Sequence, residues 1–344
     1  MKSRNRISLA LLLTMALGFT MTSCMNEKQG KDRSTGKTNE ILVVTDTRQQ
    51  WEGALGDTIR AFFEKEMPGL PQPEPLYNLL NVSSGDFNKT FKKLHSVLII
   101  TVDPSVNEPV VEMKKDVWTS PQQVIKMTVK DMDWFNSTFH QYRDVFLKLF
   151  SDLETQRTIQ YFDMAKSIRL KELLMDKFGF SLDIPGGFSI MKDADGFLWL
   201  QQSVHKVKED IHMGIIIYEQ PYTDTSAFNP DKIIERRDSV TMLYVPGPSE
   251  GSYMVVSRKF ILPKTMTTQE YITGYAAETR GLWMVVNDFM GGPFLSYTFV
   301  DPNNETIITL DGYVYNPNGM KRNFIRQLEA IFNTLKFTGK PIEK

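Results

Sequence analysis

Apolar residues in the first half of the chain follow two alternating patterns. Ile41-Leu42-Val43-Val44 is a short, β-branched run bounded by polar residues, the signature of a buried strand. Trp51, Leu55, Ile59, Phe62 and Phe63 then recur at three- and four-residue spacing, which predicts an amphipathic helix ended by Pro68-Gly69. Val97–Ile100 and Val124–Val129 repeat the buried-strand signature, so a small α/β layer is expected. Phe135, Phe139, Tyr142, Phe146, Leu149 and Leu153 step by 4, 3, 4, 3 and 4, and a second helical segment runs through Ile159, Phe162, Ile168 and Leu173 to Phe178. One helix from Asp131 to Lys177 would be about 70 Å long at 1.5 Å per residue, too long for a compact domain, so a break is expected near Ser151 to Thr155. Gly179 stops the pattern. The aromatic stripe, at helical spacing, reads as core packing.

After Gly179 the pattern changes to short alternating runs separated by turn signals: Pro185-Gly186-Gly187, Asp195-Gly196, Pro246-Gly247-Pro248 and Asp301-Pro302-Asn303-Asn304. Strands are expected at Phe188–Met191, Phe197–Gln202, Met213–Glu219, Tyr253–Ile261, Trp283–Asn287, Leu295–Val300 and Thr306–Val314. Helices are expected at Pro230–Tyr244, Thr268–Thr279 and Met320–Leu335. The fold class is therefore α+β: a small α/β N-terminal layer with a helical pair, then a curved antiparallel sheet with packed helices.

The extreme N-terminus follows neither pattern. Lys2, Arg4 and Arg6 precede the apolar run Ile7 to Phe19 and the small polar stretch Met21-Thr22-Ser23-Cys24, the order of a signal peptide. The run is about 13 residues where a spanning helix needs roughly 20, so it reads as a removable leader. The stretch resembles the lipobox of bacterial lipoproteins, with Ser23 in the position before the cysteine and Met21 where Leu is usual. That resemblance implies cleavage before Cys24 and diacylglycerol on its thiol. With Met25 instead of Asp after the cysteine, analogy with lipoprotein sorting points to the outer membrane. Residues 25–39 are polar and almost free of apolar side chains, and are expected to form a flexible tether. The expected organisation is a leader over 1–23, the lipidated cysteine and tether over 24–39, an α/β domain with its helical pair over 40–178 and an antiparallel α+β domain over 179–344.

Composition narrows the chemistry. Cys24 is the only cysteine, which removes disulfides, thiolate catalysis and zinc-cysteine sites from the folded body. The formal net charge is -1, and removal of the leader makes the chain more acidic, so there is no electrostatic footprint for nucleic acid.

The strand-rich half, opened by Pro185-Gly186-Gly187-Phe188 and closed by an amphipathic helix ending in Thr334-Leu335-Lys336-Phe337, resembles the Mog1/PsbP-like fold in its layout. Arg280-Gly-Leu-Trp283, Asp288-Phe-Met-Gly-Gly-Pro-Phe294 and Lys321-Arg322, together with the lipoprotein start, are similar to blocks of an uncharacterised lipoprotein family of Bacteroides-type bacteria. That resemblance implies an address and an architecture and carries no activity.

Several motifs fail on context. Gly247-Pro-Ser249-Glu-Gly251 matches G-x-S-x-G, but a helix is expected before it, a strand after it, and the last histidine is His212, so it reads as a turn. Gly36-Lys37-Thr38 has five residues after Gly30 where a phosphate-binding loop has four, and it precedes the first strand. His95, His140, His205 and His212 contain no i, i+3 or i, i+4 pair, and no metal site or cofactor is expected. Lys192-Asp193-Ala-Asp195-Gly196 begins like a calcium loop, but Val204 stands where the bidentate glutamate belongs, and a hairpin turn is the simpler reading. Asp57-Thr58-Ile59 and Asp238-Ser239-Val240 fit a pattern resembling that of O-glycosylated exported proteins, though both fall on predicted helices.

One stretch mixes recognition chemistry: Arg280, Trp283, Asp288, Gly291 and Gly292 combine a cation, an indole, a carboxylate and a backbone open to close approach. They are the candidate ligand-binding residues; in the competing reading Trp283 packs the core and Gly-Gly-Pro is a bend between strands. No catalytic constellation is visible. The function expected first is a non-enzymatic, lipid-anchored envelope protein that binds an envelope component or a small ligand in a groove of the C-terminal domain. An envelope hydrolase using carboxylates distant in sequence is the second, and a structural or assembly role the third.

Overall fold

The structure, a computed structural model, describes residues 31–206, 209–303 and 305–339. Cys24, the leader and residues 25–30 of the expected tether lie outside the described residues.

The α+β class holds. A five-stranded sheet contains β1 (Glu40–Thr45), β2 (Asn78–Ser83), β3 (Ser96–Val102), β4 (Val110–Lys115) and β5 (Gln123–Val129) in the order β2-β1-β3-β5-β4. The pairs β1–β2, β1–β3 and β3–β5 are parallel, with Leu42 opposite Val97 and Leu98 opposite Ile125, while β4 is antiparallel to β5. Both faces of the central strands are covered. Ile41 and Val43 join the main core, whereas Leu42 and Val44 pack with Val97, Val124, Phe91 and Trp118 on the other side. This two-sided burial makes the strands continuous apolar runs. The edge strands β2 and β4 carry no such run and were not visible in the sequence pattern.

The predicted helix at Trp51–Phe63 is two helices, α1 (Arg48–Glu52) and α2 (Ala54–Phe63), separated by Gly53 in extended conformation. Thr47 and Gln50 form a capping box on α1. The expected break at Ser151 to Thr155 is not present: α3 runs unbroken over 32 residues, Met132–Asp163, about 48 Å at 1.5 Å per residue. It is tolerated because α3 packs in turn on α2, on β5 and on the C-terminal helix over Arg322–Phe332, and its buried face continues through Phe150, Leu153 and Phe162. The break falls at residues 164–167, where Ser167 caps α4 (Ile168–Phe178) by accepting from the Leu170 N–H. Gly179 ends α4 in the left-handed region, φ 73°, as a helix-terminating glycine does.

The second sheet is antiparallel. Its order is β10 (Met254–Ser257), β12 (Gly274–Val285), β13 (Gly291–Val300), β14 (Thr306–Tyr315), β9 (Glu209–Pro221), β8 (Phe197–Lys206), β7 (Ser189–Ala194), with β11 (Lys264–Tyr271) also on β12. A short ladder pairs β6 (Phe180–Ser181) with β15 (Lys336–Phe337). One face of the large sheet packs Leu200, Ile217, Leu295 and Leu310 against α6 (Arg322–Phe332), through Ile325, Leu328 and Phe332. The other packs Trp199, Ile216, Trp283, Phe294 and Tyr313 with Ile234 of α5 (Pro230–Tyr244).

Two expectations in this half are corrected. Thr268–Thr279 is the β11–β12 hairpin, not a helix: its threonines alternate along an edge, with the Thr265 and Thr279 hydroxyls 2.9 Å apart, and Gly274 turns the chain at φ 82°. Gly291-Gly292-Pro293 is the start of β13 and not a bend. A Cβ on Gly292 would lie 2.0 Å from the Val314 carbonyl oxygen, so glycine is required there by close backbone approach.

The α5 layer is fixed by a buried ion pair. Arg237 donates from Nε to Asp311 Oδ2 at 2.7 Å and from Nη2 to Oδ1 at 3.0 Å, with the guanidinium 4.0 Å from the Phe294 ring centre. Both side chains are fully buried. Asp311→Ala is expected to destabilise the fold by about 3–5 kcal/mol in chemical denaturation, because it strands a buried cation. The double variant Arg237→Met/Asp311→Leu should recover most of that loss.

Candidate functional site

Residues 31–39, expected to belong to a flexible tether, are a strap seated on the body. Ser34 and Thr35 donate backbone N–H bonds to the Ser120 and Lys93 carbonyls at 3.1 and 2.8 Å, and the Thr35 carbonyl accepts from the His95 N–H at 3.0 Å. Gly36 sits at φ 112°, and a Cβ there would be 2.8 Å from His95 Nδ1, so the strap passes His95 only as glycine. Asn39 is fully buried and its side-chain amide donates to Asn323 Oδ1 on α6 at 2.9 Å.

His95 holds the strap to α3. Its Nδ1 lies 2.8 Å from the carbonyl of the exposed Thr35 and its Nε2 2.7 Å from Glu154 Oε1, with His95 and Glu154 both buried. Both ring nitrogens therefore face oxygen atoms, one on the strap and one on α3. Arg157, one turn further along α3, reaches both Glu154 oxygens at 3.3 Å.

Beside this cluster opens a cavity of 380 Å³ bounded by the strap, α3 and α6, whose lining includes Arg33, Ser34, Glu154, Arg157, Tyr161 and Arg326. Its volume is in the range of small-ligand sites. The electrostatics favour an anion. Burial lowers the Arg157 guanidinium below its usual value, with Glu154 opposing and Arg33 adding to the shift. For Arg326 burial acts in the same sense, but Glu329 and Tyr77 outweigh it and leave the group raised. Arg326 Nη1 donates to Glu329 Oε2 at 3.0 Å, yet its buried Nε, like the buried Ser34 hydroxyl, has no hydrogen-bond partner in the protein. Unpaired buried donors are costly.

A wider cavity of 680 Å³ lies at the carboxyl ends of β1 and β2, lined by Arg48, Trp51, Glu52, Arg60 and Asp86 among others. Its cations are already neutralised: Arg48 pairs with Glu52 at 2.7 Å, and Arg60 pairs with Asp57 while stacking on Trp51.

The five candidate residues from the sequence do not converge. Arg280 and Trp283 project from opposite faces of β12. Arg280 binds Glu278 at 2.5 Å and also Glu329 of α6, inside the main core. Burial alone would raise the Glu329 carboxyl, but Arg326 and Arg280 hold it below its usual range. Trp283 fills the second core and donates to the Val314 carbonyl at 3.2 Å. Asp288 is on an exposed turn, where the Ser249 hydroxyl, 2.9 Å away, and the Phe289 and Met290 N–H groups keep its carboxyl low. Gly291 and Gly292 serve strand packing, so the stretch is structural and offers no common groove.

The remaining motifs fall where context placed them. Ser249 is in the turn between α5 and β10, and Gly196 turns the β7–β8 hairpin at φ 60°. Thr58 and Ser239 sit within α2 and α5, donating to carbonyls one turn back. No group of three His, Cys, Asp or Glu that could hold a metal occurs among the described residues. No described helix is long and apolar enough to cross a membrane. One constellation had no sequence signal: the Ser203 hydroxyl is 2.7 Å from His212 Nδ1, and His212 Nε2 is 3.1 Å from Asp210, across the β8–β9 hairpin. Ser203 and Asp210 are solvent-exposed and line neither cavity, and a serine in bulk water lacks the dry, preorganised donors that acyl transfer needs.

The fold and cavity define an α+β protein with a basic ligand-sized pocket. Residues 167–334 match the model of a family described as Domain of unknown function (DUF4837), and residues 34–163 match a second, Domain of unknown function (DUF8532). The two matches meet at the link between α3 and α4. No curated protein matches the chain. Among solved structures, the chain is similar to the Saccharomyces cerevisiae Ran-binding protein Mog1p, at 12% identity over 46% of this chain and 90% of that one, with a TM-score of 0.29. It is also similar to LpqN of Mycobacterium tuberculosis, described as involved in cell envelope biogenesis, at 10% identity over 46% of this chain and 83% of that one, with a TM-score of 0.28.

His95→Ala removes the strap's side-chain anchor and one partner of a buried carboxylate. It is expected to cost about 3 kcal/mol and to open the strap to trypsin at Arg33 and Lys37 under native conditions, read by mass spectrometry of the released peptides.

Proposed function

We propose that this chain is a lipid-anchored protein of the bacterial cell envelope that binds a small ligand without transforming it, in the cavity under the strap. The observation that carries the binding reading is the cavity wall itself: Arg33, Arg157 and Arg326 line it, with Glu154 the one carboxylate among its described lining residues, already held by His95 and Arg157. A clamped carboxylate is poorly placed to act as a general acid or base, so capture is the better use of this geometry.

The address rests on the leader, the stretch Met21–Cys24 and the absence of any other cysteine. Two or three acyl chains on Cys24 would hold the protein on the outer membrane without help from its surface. At up to about 3.5 Å per residue, Arg33 can stand no more than roughly 32 Å from Cys24, so the cavity stays close to the bilayer. The membrane is thus a partner through Cys24, and a ligand or envelope protein a partner through the cavity.

Cys24→Ala tests the address. Expressed in a bacterial host and fed a radiolabelled or alkyne fatty acid, the parent chain should incorporate label and sediment with membranes, while the variant should do neither. Equal labelling and sedimentation of the two would remove the anchor from this reading.

A further inference from the structure

We propose that the cavity under the strap is built to hold a phosphate group, presented as an ester by a soluble metabolite or by a phospholipid headgroup. This rests on reading the cavity as a binding site and is independent of the lipid anchor.

The donors set the ligand class. Arg33 comes from the strap, Arg157 from α3 and Arg326 from α6, so three guanidiniums reach one space from three directions. Guanidinium groups present planar forks of N–H donors suited to carboxylate and phosphate oxygens. Two buried groups on the wall, Arg326 Nε and the Ser34 hydroxyl, have no protein partner to accept or share a bond. Both atoms are closed to the cavity space in this structure, so a small shift of the wall is needed before an acceptor-only ligand with several oxygens satisfies them.

The number of converging donors favours phosphate over carboxylate. A carboxylate offers two oxygens and one charge, whereas a phosphate monoester offers three terminal oxygens and close to two charges near neutral pH. The one lining carboxylate, Glu154, is turned toward His95 and Arg157 and so does not neutralise Arg33 or Arg326. Arg326 is balanced on its far side by Glu329, which Arg280 shares. The 380 Å³ space is larger than a bare phosphate needs, leaving room for the group that carries it. Tyr161, two-thirds exposed on the rim, gives that group an aromatic surface.

The test uses the full-length chain with Cys24→Ala, which carries no acyl groups of its own. Inorganic phosphate and glycerol 3-phosphate are titrated calorimetrically against chloride at equal ionic strength, and flotation is measured with phosphatidylethanolamine vesicles with and without phosphatidic acid. Saturable binding of phosphate is expected, weakened about tenfold by Arg157→Gln, the loss expected of one charge-assisted hydrogen bond. Because Arg157 also contacts Glu154, two variants that break no bond within the cavity wall, Arg33→Gln and Ser34→Ala, keep the result interpretable, and each should weaken binding several-fold. Binding of glycerol 3-phosphate without flotation assigns the site to a soluble ester. Flotation that needs phosphatidic acid, and that glycerol 3-phosphate competes away, assigns it to a headgroup. Neither binding nor flotation, or binding unchanged in Arg33→Gln and Ser34→Ala, overturns the proposal. A saturable response to succinate but not to phosphate also overturns it while keeping the cavity as a binding site.

Discussion

The aromatic face of α3 is the contact on which the rest of the molecule depends. Phe139 meets Phe62 and Phe63 of α2 at ring separations of 5.9 and 6.3 Å, and Phe150 meets Phe63 and Tyr77 at 6.0 and 6.5 Å. The same helix packs on α6, which covers one face of the large sheet, so one continuous core contains Ile41 of the first sheet and Leu310 of the second. Removing a buried phenylalanine side chain typically costs about 3–5 kcal/mol, and here the loss would fall on the junction of two sheets. Glu74 reinforces the junction by accepting from the Lys321 and Arg322 N–H groups at 2.7 and 2.9 Å, capping α6 from the other half of the chain.

That shared core explains what the sequence pattern could and could not show. Strands buried on both faces, such as β1 and β3, write their burial as uninterrupted apolar runs, and α5 was bounded correctly because Asn229 and Pro230 mark its start chemically. Edge strands write nothing comparable. In β2 and β11 nearly every residue is exposed or half-buried, so neither strand carries an apolar run, and nothing in the pattern opposed the helix expected at Thr268–Thr279. The helix α3 is longer than one compact layer would support because it packs in turn on α2, β5 and α6.

The candidate site was less legible for a different reason. Trp283, Arg280 and Asp288 drew attention by composition within a short window, but a strand sends neighbours to opposite faces, and two of the three are spent on cores. Arg33, Arg157 and Arg326 share no window at all. Their only local signal was the Glu154 and Arg157 spacing of one helical turn, which on a polar stretch of α3 looks like an ordinary surface pair. Glu154 is in fact buried, and only the fold brings His95 to its Oε1.

The strap ties these elements into one device. Arg33 and Ser34 belong to the segment that leads back toward Cys24, yet they form part of the cavity wall. Their position depends on Thr35, held by His95, on Gly36, which alone fits beside that ring, and on Asn39, bonded to α6. Pulling on the N-terminus therefore acts first on the residues that complete the cavity, and a ligand bridging Arg33, Arg157 and Arg326 would tie the strap to both helices. A ligand that bound only the form with the strap seated would stabilise that form by RT ln(1 + [L]/Kd). Occupancy of such a site would be reflected in the order of residues 31–39.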